Sequence, residues 1–352
     1  LPLRLSYSQP FTSYNEWKWR KKTEPKEYEK AKRVYQESIE DIAIKVSSLY
    51  FAAISALSDY QQSLAKSQDL EELYRISQRR LELGTITKGD LLQLELSKLN
   101  AKVTVNEAKV KLNDSLYDLF SYMRVTDYEH ANLLPPENVL DMVLNVNDVL
   151  LKARTNSSHA ITQDLELIAA QQNLAKAKSA QGIQMHLNAE VGFNRTADGF
   201  AAAYSHLQDN EIIGVTVTVP IFDWGVKKGR VMVAKSNLEL AKTKREQADN
   251  DYVQSVKREV MQFSLQAAQC RTSLQAQRIS QERYDITKKR FEAGNVSVTE
   301  LNTALQELET AKSQYISQLR TYWNYYYTLR KFTLYDWVQH QELTVDFDAL
   351  VL

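Results

Sequence analysis

Residues 26–83 and 231–293 contain neither glycine nor proline and are rich in Glu, Lys, Ala, Leu and Gln. Read as helices, at ~1.5 Å rise per residue, each would run about 85 to 95 Å. A rod of that length cannot bury itself in an ordinary globule, so it needs neighbours along its whole length, in a bundle or a coiled coil. Only 9 Gly and 6 Pro serve 352 residues, which leaves few turns and therefore few, long elements. A packing seam is predicted where Leu92, Leu96, Leu99, Val103, Val110, Tyr117 and Phe120 recur at steps of three and four residues or their sums.

The rare glycines mark a repeat. Residues 80–91 read RLELGTITKGDL and residues 290–301 read RFEAGNVSVTEL, with Gly84 and Gly294 lying 210 positions apart. The same ungapped offset pairs Pro10 with Pro220, Lys18 with Lys228, Arg20 with Arg230, Tyr74 with Tyr284, Arg80 with Arg290, and Tyr117 with Tyr327. The chain is a tandem duplication with a period far beyond the roughly 20 to 50 residues of solenoid repeats, so each unit is a complete assembly. Gly84 and Gly294 can adopt the left-handed conformation that ends a helix, while Thr87–Asp90 and Ser297–Glu300 have capping-box spacing for the next one. Two equivalent helical hairpins with two equivalent tips are predicted. The organisation read from the sequence is residues 1–144 as the first repeat, 145–333 as the second and 334–352 as a tail with no assigned role.

Strand signals lie away from the tips. HLNAEVGFNR (186–195) alternates Leu187, Ala189, Val191 and Phe193 with small or polar residues. IGVTVTVPIF (213–222) alternates Val215, Val217, Val219 and Ile221 with Thr216, Thr218 and Pro220, and LRLSYSQPF puts Leu3, Leu5 and Tyr7 on the matching face. Such strands fit a lipid-facing barrel with a wet interior, and equally a soluble amphipathic sheet. No uninterrupted apolar run of ~18 residues predicts a transmembrane helix, and LPLRLSYSQP lacks the parts of a signal peptide. Three strands cannot close a membrane barrel of about eight or more, so a barrel would have to be shared between chains. By the repeat, a helix and a strand, on the order of 70 residues, are expected upstream of Leu1, giving four strands per chain and twelve in three chains.

Composition limits the chemistry. Lys and Arg total 44, matching 44 Asp and Glu, which gives no basic domain for nucleic acid. The single Cys270 excludes a disulfide framework and an all-cysteine metal site. His130, His159, His186, His206 and His340 lack metal-ligand spacing, and no phosphate loop, dinucleotide fingerprint or nucleophile elbow occurs. No enzyme activity, cofactor or metal is expected.

The plan of helix, strand, loop, strand, long helix, glycine turn and returning helix resembles the TolC-like outer membrane efflux protein family. The stretches VTVTVPIFDWGVKKGRVMVAKSNLELAKTK, KKRFEAGNVSVTELNTALQELETAKSQYISQLRTYWNYYYTL and LELGTITKGDLLQLELSKLNAK carry the likeness. The resemblance implies a mainly α fold with a small β part. Duplicated hairpins would form a trimeric α-barrel joined to a shared 12-stranded outer-membrane β-barrel. It further implies a passive exit duct of an efflux or type I secretion system, in the outer membrane with a large periplasmic portion. Such a homotrimer would dock a periplasmic adaptor, which links it to an inner-membrane transporter.

Under the resemblance, Asp90 and Glu300 match acidic positions near the pore aperture, where three-fold symmetry would crowd carboxylates; both also suit a cap. A second acid expected one turn on is replaced by Thr303 and Gln93, which weakens a cation filter. Leu83, Gly84, Thr85 and Ile86, with Ala293, Gly294, Asn295 and Val296, are the candidates for adaptor docking, or are simple turn residues. Leu187, Val191, Phe193, Val215, Val217 and Val219 would face outer-membrane lipid. The rings of TYWNYYYTLRKF (321–332) fit helix seams better than a ligand stack, and WKWR (17–20) and VKKGR (226–230) with Trp17, Trp19 and Trp224 suit a membrane–water boundary. A soluble coiled-coil tether remains the alternative, and the strand faces discriminate: lipid on them for the duct, protein for the tether. The cargo is not legible.

Overall fold

The computed structural model describes residues 3–11, 14–126, 132–134, 136, 139, 142–194, 208–219 and 221–349. Pro220, His130, His206 and the side chain of Leu3 lie outside the described residues. In chain order the elements are β1 (Leu3–Pro10), α1 (Glu16–Glu82), α2 (Lys88–Tyr122), α3 (Val146–Asn156), α4 (His159–Gln181), β2 (Gln184–Asn194) and β3 (Gln208–Thr218). They continue with α5 (Val226–Glu292), α6 (Val298–Thr333), β4 (Tyr335–Asp336) and β5 (Gln341–Glu342). The chain divides into two compact units, Leu1–Val34 with Ser158–Val253, and Tyr35–Ser157 with Gln254–Leu352.

In the first unit β1, β2 and β3 form one antiparallel sheet in that order. The register sets Leu5 opposite Val191, Tyr7 opposite Ala189, Ala189 opposite Ile213, and Leu187 opposite Val215. Directly opposed residues share a face, so these side chains make one apolar surface. The other face is polar and cross-linked: Ser8 donates to Asn188 Oδ1 (2.8 Å), Asn188 donates to Thr216 Oγ1 (2.9 Å), and Arg4 pairs with Glu190. β3 runs 208–218 rather than from 213, because pairing with β2 continues through Asp209, Asn210 and Glu211, whose polarity reads as loop in the sequence. Asp223 caps α5 by accepting from Gly225 N (3.1 Å) and Lys227 N (2.9 Å). Asp164 of α4 joins Lys26 of α1 (2.9 Å) and Arg245 of α5 (2.7 Å); the Lys26 hydrogen bond, opposed by burial, leads the causes that hold its carboxyl below the usual range.

Residues 146–181, an unbroken stretch without glycine or proline, form two helices rather than one. Ser157 is extended and stops α3, and α4 begins at His159. α1 begins at Glu16, upstream of the expected Pro25, which sits inside the helix. One 18-residue window of α1 reaches a mean hydropathy of 1.3, enough by length and composition to cross a membrane, although 22% of it is buried. Scattered serines and a lysine hide this window from a search for uninterrupted apolar runs.

In the second unit the two hairpins pack on each other through Leu70, Leu73, Leu94, Ala101, Tyr284, Phe291, Leu301, Ala304 and Leu308. The predicted α2 seam lies mostly on the open side of the helix in the single chain. Leu92, Leu96, Leu99, Val103, Val110 and Tyr117 are each more than half exposed, and of that set only Phe120 is buried. The internal seam instead uses Leu94, Ala101 and Ala108, seven residues apart. Alanines admit close helix approach, so this internal row does not stand out by bulk in the sequence. The aromatic segment of α6 does fill a seam: Tyr322 and Tyr326 are buried, Tyr322 stacks on Phe263 at 4.9 Å, and Trp323 meets both tyrosines edge-on.

The tail folds back onto this unit. β4 and β5 pair, and Asp336 Oδ1 accepts from Tyr326 Oη (3.1 Å), Val338 N (2.9 Å) and Gln339 N (3.0 Å). Arg330 joins Asp336 (3.3 Å) to the buried Glu40 of α1 (3.0 Å). Tyr35 meets Phe347 edge-on at 5.7 Å, and Gln36 donates to Leu343 O (2.8 Å). Burial raises the Glu40 carboxyl above its ordinary value despite Arg330.

Candidate functional site

The two tips are built alike, bond for bond. Leu83, Gly84 and Thr85 N donate to Arg79, Leu81 and Arg80 O (3.1, 2.9 and 2.9 Å). Ala293, Gly294 and Asn295 N donate to Lys289, Phe291 and Arg290 O at the same three distances. Gly84 and Gly294 carry φ of 70° and 84°, the left-handed conformation that closes these helix ends without a Cβ penalty.

The caps that open the returning helices differ. Thr87 Oγ1 accepts from Asp90 N (3.1 Å), and Asp90 Oδ2 accepts from Thr87 N (3.1 Å) and Thr87 Oγ1 (2.8 Å), a complete capping box. These Thr87 hydrogen bonds hold the Asp90 carboxyl below its ordinary value. Ser297 Oγ accepts from Glu300 N (3.2 Å), while the exposed Glu300 carboxylate lies 3.9 Å from Arg290.

Of the eight candidate docking residues, Leu83 is 77% exposed, Gly84, Thr85, Ala293, Gly294 and Asn295 are exposed, and Ile86 is half-buried. Val296 is 8% exposed, so little of its surface is offered to a partner.

Two ties between the hairpins escape a reading of motifs. Arg80 Nη1 donates to Phe291 O (3.1 Å) with its guanidinium 5.3 Å from the Phe291 ring centroid. Asp69 accepts from Tyr284 Oη (2.6 Å) and from Lys288 Nζ (2.6 Å). Burial and the adjacent Asp69 both push the Tyr284 hydroxyl far above its usual range. Burial works against the Lys288 ammonium, and Asp69 outweighs it, leaving that pKa raised. The repeat carries one signal for the first tie, since Arg80 and Arg290 are partners at the 210-residue offset.

The strand candidates share the apolar face. Val191, Phe193, Val215 and Val217 are exposed and Leu187 is half-buried; Val219, just past β3, is exposed. Among the described residues no cluster of three metal-ligating side chains occurs. His159, one of the scattered histidines, stacks on Tyr252 at 4.2 Å with Nε2 3.3 Å from Asp249.

Duplicated long helical hairpins, tied at their tips and joined to a sheet with one apolar exposed face and one hydrogen-bonded polar face, make up the fold of TolC-like outer-membrane channels. The chain belongs to the outer membrane efflux protein family, whose model matches residues 152–333. It is similar in structure to the Campylobacter jejuni CmeC outer membrane channel, with a TM-score of 0.76 and 16% identity over 99% of this chain and 73% of that one. The outer membrane protein VceC of Vibrio cholerae gives a TM-score of 0.73 and 14% identity over 97% and 80%. The open state of the Neisseria gonorrhoeae MtrE outer membrane channel gives 0.68 and 15% over 98% and 82%. At these identities the likeness is one of fold. No curated protein matches the sequence.

Proposed function

We propose that this chain is one of three identical subunits of a passive exit duct, in which the strands of three copies close one outer-membrane barrel and the helices form a periplasmic tube. The tips dock a periplasmic adaptor, which connects the duct to an energised inner-membrane transporter. One observation carries this reading most directly: the sheet has an exposed apolar face and a hydrogen-bonded polar face, and its edge strands β1 and β3 have no further strand partner among the described residues. Unpaired edges are untenable in lipid, so other copies must cover them. The twelve-stranded closure needs a fourth strand per copy. The exposed row from Leu92 to Tyr117 on α2 then serves as a seam between copies.

At the aperture, Asp90 and Glu300 contribute a ring of carboxylates, with Asp90 also committed to its cap. The docking surface is the exposed part of the tips, Leu83, Gly84, Thr85, Ala293, Gly294 and Asn295, with Ile86 at its margin; small groups beside a turn suit a partner helical hairpin. Val296 supports the tip from within. The lipid face comprises Leu187, Val191, Phe193, Val215, Val217 and Val219. The wide polar lumen of such a tube does no chemistry, and cargo choice rests with the transporter.

The test is to fractionate cells producing the protein and weigh the detergent-extracted particle by light scattering. A three-chain particle from the outer-membrane fraction is expected; a soluble monomer or dimer overturns the reading. Planar-bilayer conductance of Asp90→Asn and Glu300→Gln then reads the aperture, with reduced cation preference expected.

A further inference from the structure

The membrane-anchoring unit carries its charge unevenly. Residues 16–26 hold Lys18, Arg20, Lys21, Lys22 and Lys26 against Glu16 and Glu24, net +3, and residues 223–235 hold Lys227, Lys228, Arg230 and Lys235 against Asp223, also net +3. The chain as a whole is neutral, so the remainder carries the compensating −6. Both segments begin within a few residues of the end of a strand, after β1 and after β3. They correspond through the 210-residue repeat, which keeps Lys18 with Lys228 and Arg20 with Arg230.

Lys18, Lys21, Lys22, Lys228 and Arg230 are exposed, and none has an ion-pair partner among the described residues. Arg20 has one, Glu16 at 3.0 Å. Beside them, Trp17 is 75% exposed and Trp224 is 87% exposed. The Arg20 guanidinium lies 5.7 Å from the Trp17 ring centroid, and Phe222 meets Trp224 edge-on at 4.6 Å. Trp224 is also held at φ 55°, a sparsely populated conformation for a bulky residue. Asp223 holds the turn through Gly225 N and Lys227 N, while the ring itself stays exposed.

We propose that these two segments form a docking surface for anionic phospholipid headgroups in the membrane leaflet nearest the helices, with the tryptophans seated at the headgroup level and the lysines and arginines on the phosphates. The proposal rests on the outer-membrane reading above. Exposed indoles favour the interface, where one edge is wet and the ring is not, and clustered Lys and Arg without acidic partners give an attraction specific for negative headgroups. A neutral or zwitterionic surface would recruit the tryptophans and leave the cations unused.

The test uses the purified full chain in its oligomeric state and two vesicle preparations, one of phosphatidylethanolamine with phosphatidylglycerol and one with phosphatidylcholine in place of the glycerol lipid. Lipid retained by the detergent-extracted particle is counted by native mass spectrometry. Wild type is expected to retain phosphatidylglycerol at least tenfold over phosphatidylcholine, with the preference falling at high salt as the attraction is screened. The variant K18Q/K21Q/K22Q/K228Q/R230Q loses that preference, while K18R/K21R/K22R/K228R/R230K, which keeps the charge, retains it. No preference in wild type, or an undiminished one in the glutamine variant, overturns the proposal, as does loss in both variants, which marks a general disturbance of the fold. Inorganic phosphate that abolishes lipid retention at millimolar concentration reveals a free-anion site and overturns the headgroup assignment. Failure to insert into either vesicle overturns the membrane reading and the proposal together; insertion into both without preference overturns the proposal alone.

Discussion

Replacing Asp69 by alanine should loosen the tips far more than removing either of its partners. The carboxylate receives the Tyr284 hydroxyl and the Lys288 ammonium at 2.6 Å each, from a helix more than 200 residues away in sequence. Tyr284 is 5% exposed, so without Asp69 its hydroxyl is left in apolar surroundings, which costs about 1–3 kcal/mol. Lys288 has a side chain 24% exposed and Glu72 at 3.9 Å, so it finds water or a second acid and adds at most about 1 kcal/mol. The middle of that sum, about 2–3 kcal/mol, corresponds to roughly 30- to 150-fold faster exchange of amides that open locally. Tyr284→Phe leaves Asp69 paired to Lys288 and removes the orphan along with its partner, which predicts about 1 kcal/mol and a roughly five-fold change. Hydrogen exchange followed by mass spectrometry on the detergent-extracted protein reads this in peptides covering 66–83 and 280–292. If Tyr284→Phe accelerates exchange as much as Asp69→Ala, or if neither moves it beyond about twofold, the assignment of the tie to this carboxylate is wrong.

Gly294→Ala forces an L side chain to φ 84° and should cost about 1–2 kcal/mol, although the new Cβ meets only the Arg80 guanidinium, at 3.5 Å from Nη2 and 3.9 Å from Cζ. Gly84→Ala, in open space at φ 70°, should cost the same by thermal melting, and a large excess at Gly294 would mean that Arg80 cannot yield. Burial pushes the Glu259 carboxyl of α5 up to about 7. Because the folded pKa exceeds the unfolded value near 4.5, this group's stability contribution is fully present below about pH 4.5 and is lost as pH rises to about 7. Glu259→Gln should therefore raise the melting temperature at pH 8 and leave it unchanged at pH 4, and an equal gain at both would refute the burial argument. Val217→Arg on the apolar strand face should cost about 2–4 kcal/mol at mid-membrane depth and lower outer-membrane yield, while Thr216→Arg on the opposite face should be tolerated.

The long helices and their turns are legible because glycine and proline are so rare that each one is informative, and the repeat checks every reading twice. β1 and β2 follow from alternation. The first half of β3 does not, since Asp209 and Glu211 sit on the otherwise apolar face, opposite Phe193 and Val191, where pairing with β2 overrides their low strand propensity. The internal contact row of α2 is missed because an alanine can carry a helix contact without any hydrophobic bulk to announce it. At the tips, the glycines, Thr87, Asp90 and Ser297 show themselves by spacing. The Asp69 tie and the Arg80 tie do not, because each joins residues more than 200 positions apart by geometry alone.

The tail, which no pattern picked out, sets an order of events. Glu40 is a buried carboxylate within α1, and the arginine that neutralises it lies 290 positions later, itself held by Asp336. During synthesis the first hairpin must therefore wait with that acid still in water until Arg330 has been made. Arg330 and Asp336 then act as the signal that α1 can be sealed, so a chain cut short before them would be recognisable as unfinished at Glu40.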